Sequence, residues 1–327
     1  MPIRCLVTLA LCLLGFLGRP TVALAEPPPD FNTWLGALRV EAAAAGIRAP
    51  TIAAALANLE PIPRVLELDR HQPESRKSLD QYLQMLISPE RIRAGRRNLR
   101  IHQETLARVE ERFGVPPQIL VALWGIESNY GAITGSFPVI GALATLAHDQ
   151  RRAAFFRREL LAALRLLDQG VVGLSEMQGS WAGAMGELQF LPSVLAAHGQ
   201  DLDQDGHIAI WQSGPDLFAT GAAYLAASGW QRGRSWGFEV EPSPSLAPEN
   251  TPPQPRPIRQ WQQMGFRPTG ELTAMDPSQP ATLLRPGGNR AFLVLPNFAV
   301  LLHWNRSDKY VLAVGLLADQ IGATQHD

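Results

Sequence analysis

The chain has 327 residues, 46% hydrophobic and 18% charged, enough to bury a sizeable core in one large domain or two closely joined ones. Its formal net charge is -1 at pH 7, so the field of the whole molecule does not draw it to nucleic acid or to an anionic membrane surface. Nucleic acid is set aside as a partner, and any polymer substrate has to be gripped locally.

At the start, Arg4 precedes an apolar run over residues 6–17, and Ala23-Leu24-Ala25 before Glu26 sets small residues two apart. The run is too short to span a bilayer comfortably, so residues 1–25 read as a cleaved signal peptide. A retained anchor is the alternative, because Arg19 and Pro20 interrupt the segment. Leu11 stands before Cys12 where a lipoprotein signal needs a small residue, so the expectation is a soluble periplasmic protein with no lipid anchor. Both cysteines, Cys5 and Cys12, fall in this segment, which excludes disulfides, thiol catalysis and thiolate metal sites from the mature chain.

Residues 26–234 read almost entirely as helices broken by Pro and Gly. One long helix is predicted over residues 89–113, with Ser88 as N-cap, Glu90 in the first turn, and Gly114 and Pro116 closing it. The next opens at Pro116-Pro117 and turns Ile119, Leu120, Leu123 and Ile126 to one inward face, with Glu127 at the end of that face. Residues 235–296 change character, with prolines at 242, 244, 248, 252, 253, 255 and 257, and read as a small strand-and-loop insert. Residues 297–327 return to helical periodicity through Tyr310, Val311, Val314, Leu317 and Ile321, and are expected to pack back on the helical body.

Two stretches carry chemistry. In Trp124-Gly125-Ile126-Glu127-Ser128-Asn129-Tyr130-Gly131 a single carboxylate interrupts an apolar helix just before turn-forming residues. Burial there would raise its pKa and suit it to proton donation near neutral pH, whereas a helix-end cap or ion pair is the plainer alternative. In Gly179-Ser180-Trp181-Ala182-Gly183-Ala184-Met185-Gly186-Glu187-Leu188-Gln189-Phe190 small residues alternate with polar and bulky ones. That pattern lets backbone approach a ligand, with Ser180 and Gln189 to hydrogen-bond sugar groups and Met185 and Phe190 to offer apolar surface; a tight helix-packing loop is the alternative.

Together the two motifs, over nearly the whole of the chain after residue 30, resemble the B-type membrane-bound lytic murein transglycosylases of glycoside hydrolase family 103. The resemblance implies a mainly α (α+β) fold with a lysozyme-like helical catalytic domain. It implies cleavage of the MurNAc-GlcNAc bond of peptidoglycan without water, leaving a 1,6-anhydromuramic end. Glu127 then gives a proton to the glycosidic oxygen and later takes one from the muramic 6-hydroxyl. Most glycosidases need two carboxylates, and this family is taken as an exception in which the substrate's acetamido group assists. Ser128 and Tyr130 fall among the substrate contacts, and Glu187 is placed at the groove rim as a binding residue. No organic cofactor is required. Trp304, Asn305 and Tyr310 match the closing motif, with Tyr310 orienting Glu127; Trp304 stands where many relatives have Tyr, keeping a ring for stacking but not the phenol hydrogen bond.

Asp201-Leu202-Asp203-Gln204-Asp205-Gly206-His207 has the spacing of the front half of an EF-hand loop, but Gln212 occupies the twelfth position where a bidentate Glu belongs. Some relatives bind calcium here with a later Asp, for which Asp216 is the nearest counterpart. Calcium held by Asp201, Asp203, Asp205, His207 and Asp216 and a metal-free Asx-rich turn both stay open. Arg151, Arg152, Arg157 and Arg158 are candidates for holding stem-peptide carboxylates, or form a solvated basic face. The expected partners are peptidoglycan strands and cell-wall synthesis or division proteins, with the chain a monomer. Two other readings remain: a hydrolytic muramidase and a non-catalytic peptidoglycan-binding scaffold. The short tail after Ile321 carries the expectation that no separate peptidoglycan-binding domain follows.

Overall fold

A computed structural model describes residues 30–71, 77–241, 254–270 and 276–323. The signal peptide, Cys5 and Cys12 lie outside these residues, as does most of the Pro-rich run. Four helices come first: α1 (Phe31–Ala44), α2 (Ala49–Ala55), α3 (Pro63–Arg70) and α4 (Leu79–Leu86). Asp30 caps α1 by accepting from the backbone N–H groups of Asn32 and Thr33 at 3.1 Å, and Ser78 and Gln81 close a reciprocal capping box on α4.

The stretch expected as one long helix is two, α5 (Pro89–Ile101) and α6 (Gln103–Phe113), bent at His102. The His102 ring packs edge-on against Trp124 at 5.6 Å and Phe218 at 5.2 Å, so tertiary contacts rather than a sequence breaker set the bend. Ser88 caps α5 through the Arg91 N–H at 3.2 Å, and Gly114 ends α6 at φ 74°. The next helix, α7 (Pro117–Ser128), does not have the single inward face its spacing suggests. Ile119 through Gly125 are all buried, so α7 runs through the middle of the body.

Beyond it come β1 (Phe137–Pro138), α8 (Val139–His148), a 3-10 turn, α9 (Ala153–Asp168), β2 (Gln178–Gly179), α10 (Pro192–His198) and α11 (Pro215–Ala227). β1 pairs antiparallel with β2, which ties the segment before α8 to the second motif. Then follow β3 (Gly237–Glu241), β4 (Arg256–Pro257), α12 (Ile258–Gln263), β5 (Arg267–Pro268), β6 (Pro280–Leu284) and β7 (Ala291–Val294), and last α13 (Pro296–Trp304) and α14 (Asp308–Gly322). Proline opens many of these helices, where its missing N–H costs nothing and its fixed φ suits the first turn.

The antiparallel sheet has the order β4-β6-β7-β3-β5. It closes over its own small core of Phe238, Val240, Ile258, Trp261, Phe266 and Leu293, where the Trp261 indole donates to the Ala281 carbonyl at 2.9 Å. Between Ala291 and Leu293, Phe292 turns to the main core, so the period-2 alternation of β7 joins sheet to helices. Fully burying a side chain such as Phe292 is worth roughly 1.5–3 kcal/mol. α14 packs along α7 and α5, which brings Tyr310 over the end of α7. Among the described residues, no helix is long and apolar enough to cross a membrane.

Candidate active site

Glu127 occupies the last turn of α7, half-buried, and its carboxyl oxygen Oε1 receives two hydrogen bonds. The Trp304 indole Nε1 donates at 3.0 Å, and the Tyr310 hydroxyl donates to the same oxygen. Burial pushes the Glu127 pKa up to about 7, against the opposing pull of the Tyr310 and then the Trp304 hydrogen bonds. No charged side chain contributes to the shift, so the group is a desolvated acid rather than half of an ion pair. Tyr310 itself is 4% exposed, and burial first, then the Glu127 charge, raises its own pKa so that it stays a donor.

Trp304 corrects the expectation that the hydrogen bond is lost with the phenol: the indole N–H replaces it. Its ring is held by Phe190 at 5.6 Å and by Tyr224 at 5.5 Å, and the Tyr224 hydroxyl donates to the His303 carbonyl at 2.8 Å. Sequence reading misses Tyr224, which sits in the Ala-rich α11 with nothing local to mark it.

The other motif residues divide into those that build the site and those that are open to a ligand. Ser128 is 1% exposed; its Oγ accepts the Gly131 N–H at 2.8 Å and ties off the end of α7 rather than facing substrate. The Tyr130 hydroxyl donates to the Arg91 carbonyl at 2.7 Å while its ring meets Trp124 edge-on at 5.4 Å, so it too is a structural member. Ser180 Oγ accepts from the Ala184 N–H at 3.1 Å and closes a turn. Met185 and Phe190 are 0% and 2% exposed and form bridges, Gly179 to Met185 and Met185 to Phe190, so they belong to the core instead of offering a surface to a ligand.

Both Gln189 amide hydrogens are used, on the carbonyls of Thr134 at 2.9 Å and Gly186 at 2.8 Å, which leaves Oε1 as its free acceptor. The small residues serve protein packing: a Cβ on Gly186, whose φ is +71°, would meet the Ile210 carbonyl oxygen at 2.4 Å. Asn305 is exposed and accepts from the Ser307 N–H at 3.1 Å, in the turn between α13 and α14.

Glu187 is not at a rim. It is 8% exposed, packed under Gly131, with burial raising its pKa. Its Oε2 and the Trp124 indole nitrogen are both buried outside normal hydrogen-bond geometry, yet they face each other closely enough for the indole to oppose the rise. The arginine cluster lies at the surface but is spent on ion pairs within the fold, Arg158 reaching Glu159 at 3.6 Å. Arg151 and Arg152 converge on the buried Asp69, at 3.0 Å and 2.6 Å, and Arg157 pairs with Glu41, so these guanidinium groups are committed to the fold.

Asp201, Asp203, Asp205 and Asp216 come together, with ligand atoms all within 4.8 Å of one another. Asp216, 2% exposed, accepts from the Leu202 N–H at 2.7 Å and the Ala209 N–H at 3.0 Å, which fastens the loop to the start of α11. Asp203 has a raised pKa, from burial and then from Asp216, Asp205 and Asp201. The His207 side chain is exposed and outside this carboxylate group; only its backbone N–H joins, donating to Asp205 at 2.8 Å.

One proton-carrying carboxyl, anchored by its Oε1 in a helical body, can both give and take a proton without a second acid at its side. That is the chemistry of a lysozyme-like lytic transglycosylase. The transglycosylase SLT domain family matches residues 30–319. The chain is 30% identical to the membrane-bound lytic murein transglycosylase B of Escherichia coli (strain K12) over 247 residues, 73% of this chain and 66% of that protein. The match thus spans just under two thirds of that relative's length. SltB3 from Pseudomonas aeruginosa, solved in complex with NAG-anhNAM-pentapeptide, is 43% identical with a TM-score of 0.84, covering 89% of this chain and 79% of that one. The Escherichia coli lytic transglycosylase Slt35, solved in complex with calcium, is 28% identical with a TM-score of 0.73, covering 90% and 93%. The chain belongs to the lytic murein transglycosylase B family.

Proposed function

We propose that the protein cleaves the β-1,4 bond between MurNAc and GlcNAc in peptidoglycan without water and leaves 1,6-anhydromuramic ends, with Glu127 as acid and then base. The observation that carries this reading is the pair of donors on Glu127 Oε1. The indole N–H cannot accept a hydrogen bond, so the proton of the neutral acid belongs on Oε2. From Oε2 it passes to the glycosidic oxygen as the C1–O bond breaks, and the Trp304 and Tyr310 donors stabilise the carboxylate formed. That carboxylate then takes the proton of the muramic 6-hydroxyl as O6 bonds to C1, and the acid is regenerated. The related SltB3 complex with an anhydromuramyl peptide supports the product assigned.

The calcium reading has its own support. Four carboxylates with ligand atoms within 4.8 Å of one another fit a hard divalent cation, and Asp201, Asp203, Asp205 and Asp216 would hold it. Its contribution would be to tie the loop to α11, with no part in proton transfer. For domain organisation, residues 26–234 and 297–327 are read as the catalytic region and residues 235–296 as an insert, which the separate small core of the sheet supports. Residues 1–25 are read as an export signal and the compartment as the periplasm, supported by the charged start, apolar run and Ala23-Leu24-Ala25 end.

The test is digestion of purified peptidoglycan with the wild type and with Glu127→Gln, the ends identified by mass spectrometry. Anhydromuramic ends from the wild type alone are expected. Reducing ends would make the protein a hydrolytic muramidase, and binding without cleavage would make it a scaffold.

A further inference from the structure

Glu127 and Ser128 run directly into a strained turn. Asn129, Tyr130 and Gly131 follow one another at φ 52°, 60° and 83°, all in the left-handed region. Asparagine and glycine enter that region at little cost, but a bulky tyrosine does not, so the turn persists because its surroundings hold it there. Near its own ends, the Ser128 Oγ accepts the Gly131 N–H and the Tyr130 hydroxyl is bonded to the Arg91 carbonyl. Further support comes from the second motif.

The Gln189 amide donates to the Thr134 carbonyl at 2.9 Å. Glu187 packs under Gly131, so close that a Cβ there would fall 2.6 Å from its Cδ and its Oε2. The Glu187 backbone N–H is itself fixed on the Ile210 carbonyl at 2.8 Å. The same carboxyl faces the indole of Trp124, about one helical turn before Glu127. The Trp124 carbonyl accepts the N–H groups of Asn129 and, at 3.2 Å, of Tyr130, and its ring meets Tyr130 edge-on. Trp124 thus sets where the turn begins and Gly131 where it ends, and one carboxyl lies against both.

Packing alone does not account for a carboxyl in that place. Glu187 Oε2 and Trp124 Nε1 are both buried without a hydrogen-bond partner, an acceptor beside a donor. An apolar side chain of the same length would fill the space without the roughly 1–3 kcal/mol that a buried, unpaired polar group costs. Burial favours the neutral form of Glu187, against the Trp124 indole and then the Ser213 backbone. No charge on Glu187 acts on the Glu127 pKa, so its influence on the reacting acid passes through the turn.

We propose that Glu187 is a positioning residue for Glu127: its carboxyl, set against the Trp124 indole and the Gly131 backbone, fixes the turn that aims the reacting acid at Trp304 and Tyr310. The inference rests on the function given above in that Glu127 is the reacting group. Glu187 itself transfers no proton.

The experiment compares the wild type with Glu187→Met, which keeps length and volume and loses the acceptor, and with Glu187→Gln, which keeps a neutral acceptor. Volume is conserved in both, so both are expected to fold. Steady-state kcat and KM are measured on soluble peptidoglycan strands. In parallel, NMR follows the Trp304 indole N–H through pH, because that proton is bonded to Glu127 Oε1 and reports its ionisation. In Glu187→Met, kcat is expected to fall about tenfold or more with KM unchanged, as a small misplacement of a reacting group demands. The Trp304 midpoint, at about 7 in the wild type, is expected to move in that variant by about half a unit or more. Glu187→Gln is expected to recover kcat to within about threefold and to restore the midpoint. An unmoved midpoint or an unchanged kcat in Glu187→Met would overturn the proposal, whatever its effect on Tm. So would a Glu187→Gln as slow as Glu187→Met, since an ionised carboxylate would then be what acts. If the wild type cleaves nothing, the transglycosylase reading ends and the Trp304 midpoint alone decides for or against the positioning role.

Discussion

Trp304 Nε1 donates to Glu127 Oε1 at 3.0 Å across 177 residues of sequence, and the indole is clamped between Phe190 and Tyr224. A donor favours the charged form of the acid it touches, so this contact holds the Glu127 pKa below where burial alone would put it. Trp304→Phe keeps the ring and loses the donor. The expected result is a kcat lower by roughly 10- to 100-fold, in line with about 1.5–3 kcal/mol for a charge-assisted hydrogen bond, with little change in KM. The high-pH limb of the profile should move upward. Trp304→Tyr should retain activity to within about tenfold, because the phenol can donate. An unaltered pH profile in Trp304→Phe would remove the positioning role.

In the mechanism proposed, Glu127 acts first as an acid and must carry its proton, so kcat/KM should be level below about pH 7 and fall tenfold per unit above it. The same shift governs stability. The folded pKa of about 7 lies above the ordinary 4.5, so the folded state binds the proton more tightly than the unfolded one. Stability linked to this group is therefore complete below pH 4.5 and is lost as pH rises through about 7. Glu127→Gln has no such charge to bury. It should exceed the wild type in stability at pH 8 by up to about 3 kcal/mol, with the advantage gone near pH 4. Urea unfolding at the two pH values checks this; a gap that does not change with pH would mean the carboxyl is not desolvated.

Gly125 lies directly against Tyr130, where an added Cβ would fall 2.7 Å from Cζ and from the hydroxyl oxygen. The ring cannot yield freely, since its hydroxyl is bonded to the Arg91 carbonyl and it packs perpendicular to Trp124. Gly125→Ala should destabilise by roughly 1–3 kcal/mol and lower kcat, because the turn after Glu127 must shift. Gly36 is the control: in α1 it has nothing within 4 Å, and Gly36→Ala should stabilise by roughly 0.5–1 kcal/mol. Thermal melting of the two variants compares packing with helix propensity in one experiment.

Asp216 and Asp203 separate loop architecture from metal binding. Asp216→Asn gives up one of two buried backbone hydrogen bonds and should cost roughly 1–3 kcal/mol even in EDTA. Asp203→Asn removes a carboxylate crowded by three others and should be neutral or slightly stabilising in EDTA. In millimolar calcium the wild type should show a higher Tm than in EDTA, and Asp203→Asn should lose most of that rise. No calcium effect on the wild type would leave the loop as an Asx-rich turn.

The sequence by itself determines the local devices and the odd residue among them. Ser88, Gly114 and Pro117 mark helix ends because capping and proline geometry involve only the next few residues. Glu127 stands out because an acid at the end of an apolar helix has no local reason to be there, and the two linked motifs are enough to assign the family. The bend at His102, the enclosure of α7 on nearly all sides and the burial of Met185, Glu187 and Phe190 are decided only in the folded molecule. Periodicity tells which residues turn inward, but not what they meet. The pairing of Arg151 and Arg152 with Asp69, some 80 residues away, turned an apparent peptide-binding cluster into a structural one. Meanwhile the convergence of Trp304 and Tyr310 on one oxygen of Glu127 sets which oxygen carries the proton, a property of long-range packing that no spacing in the chain encodes.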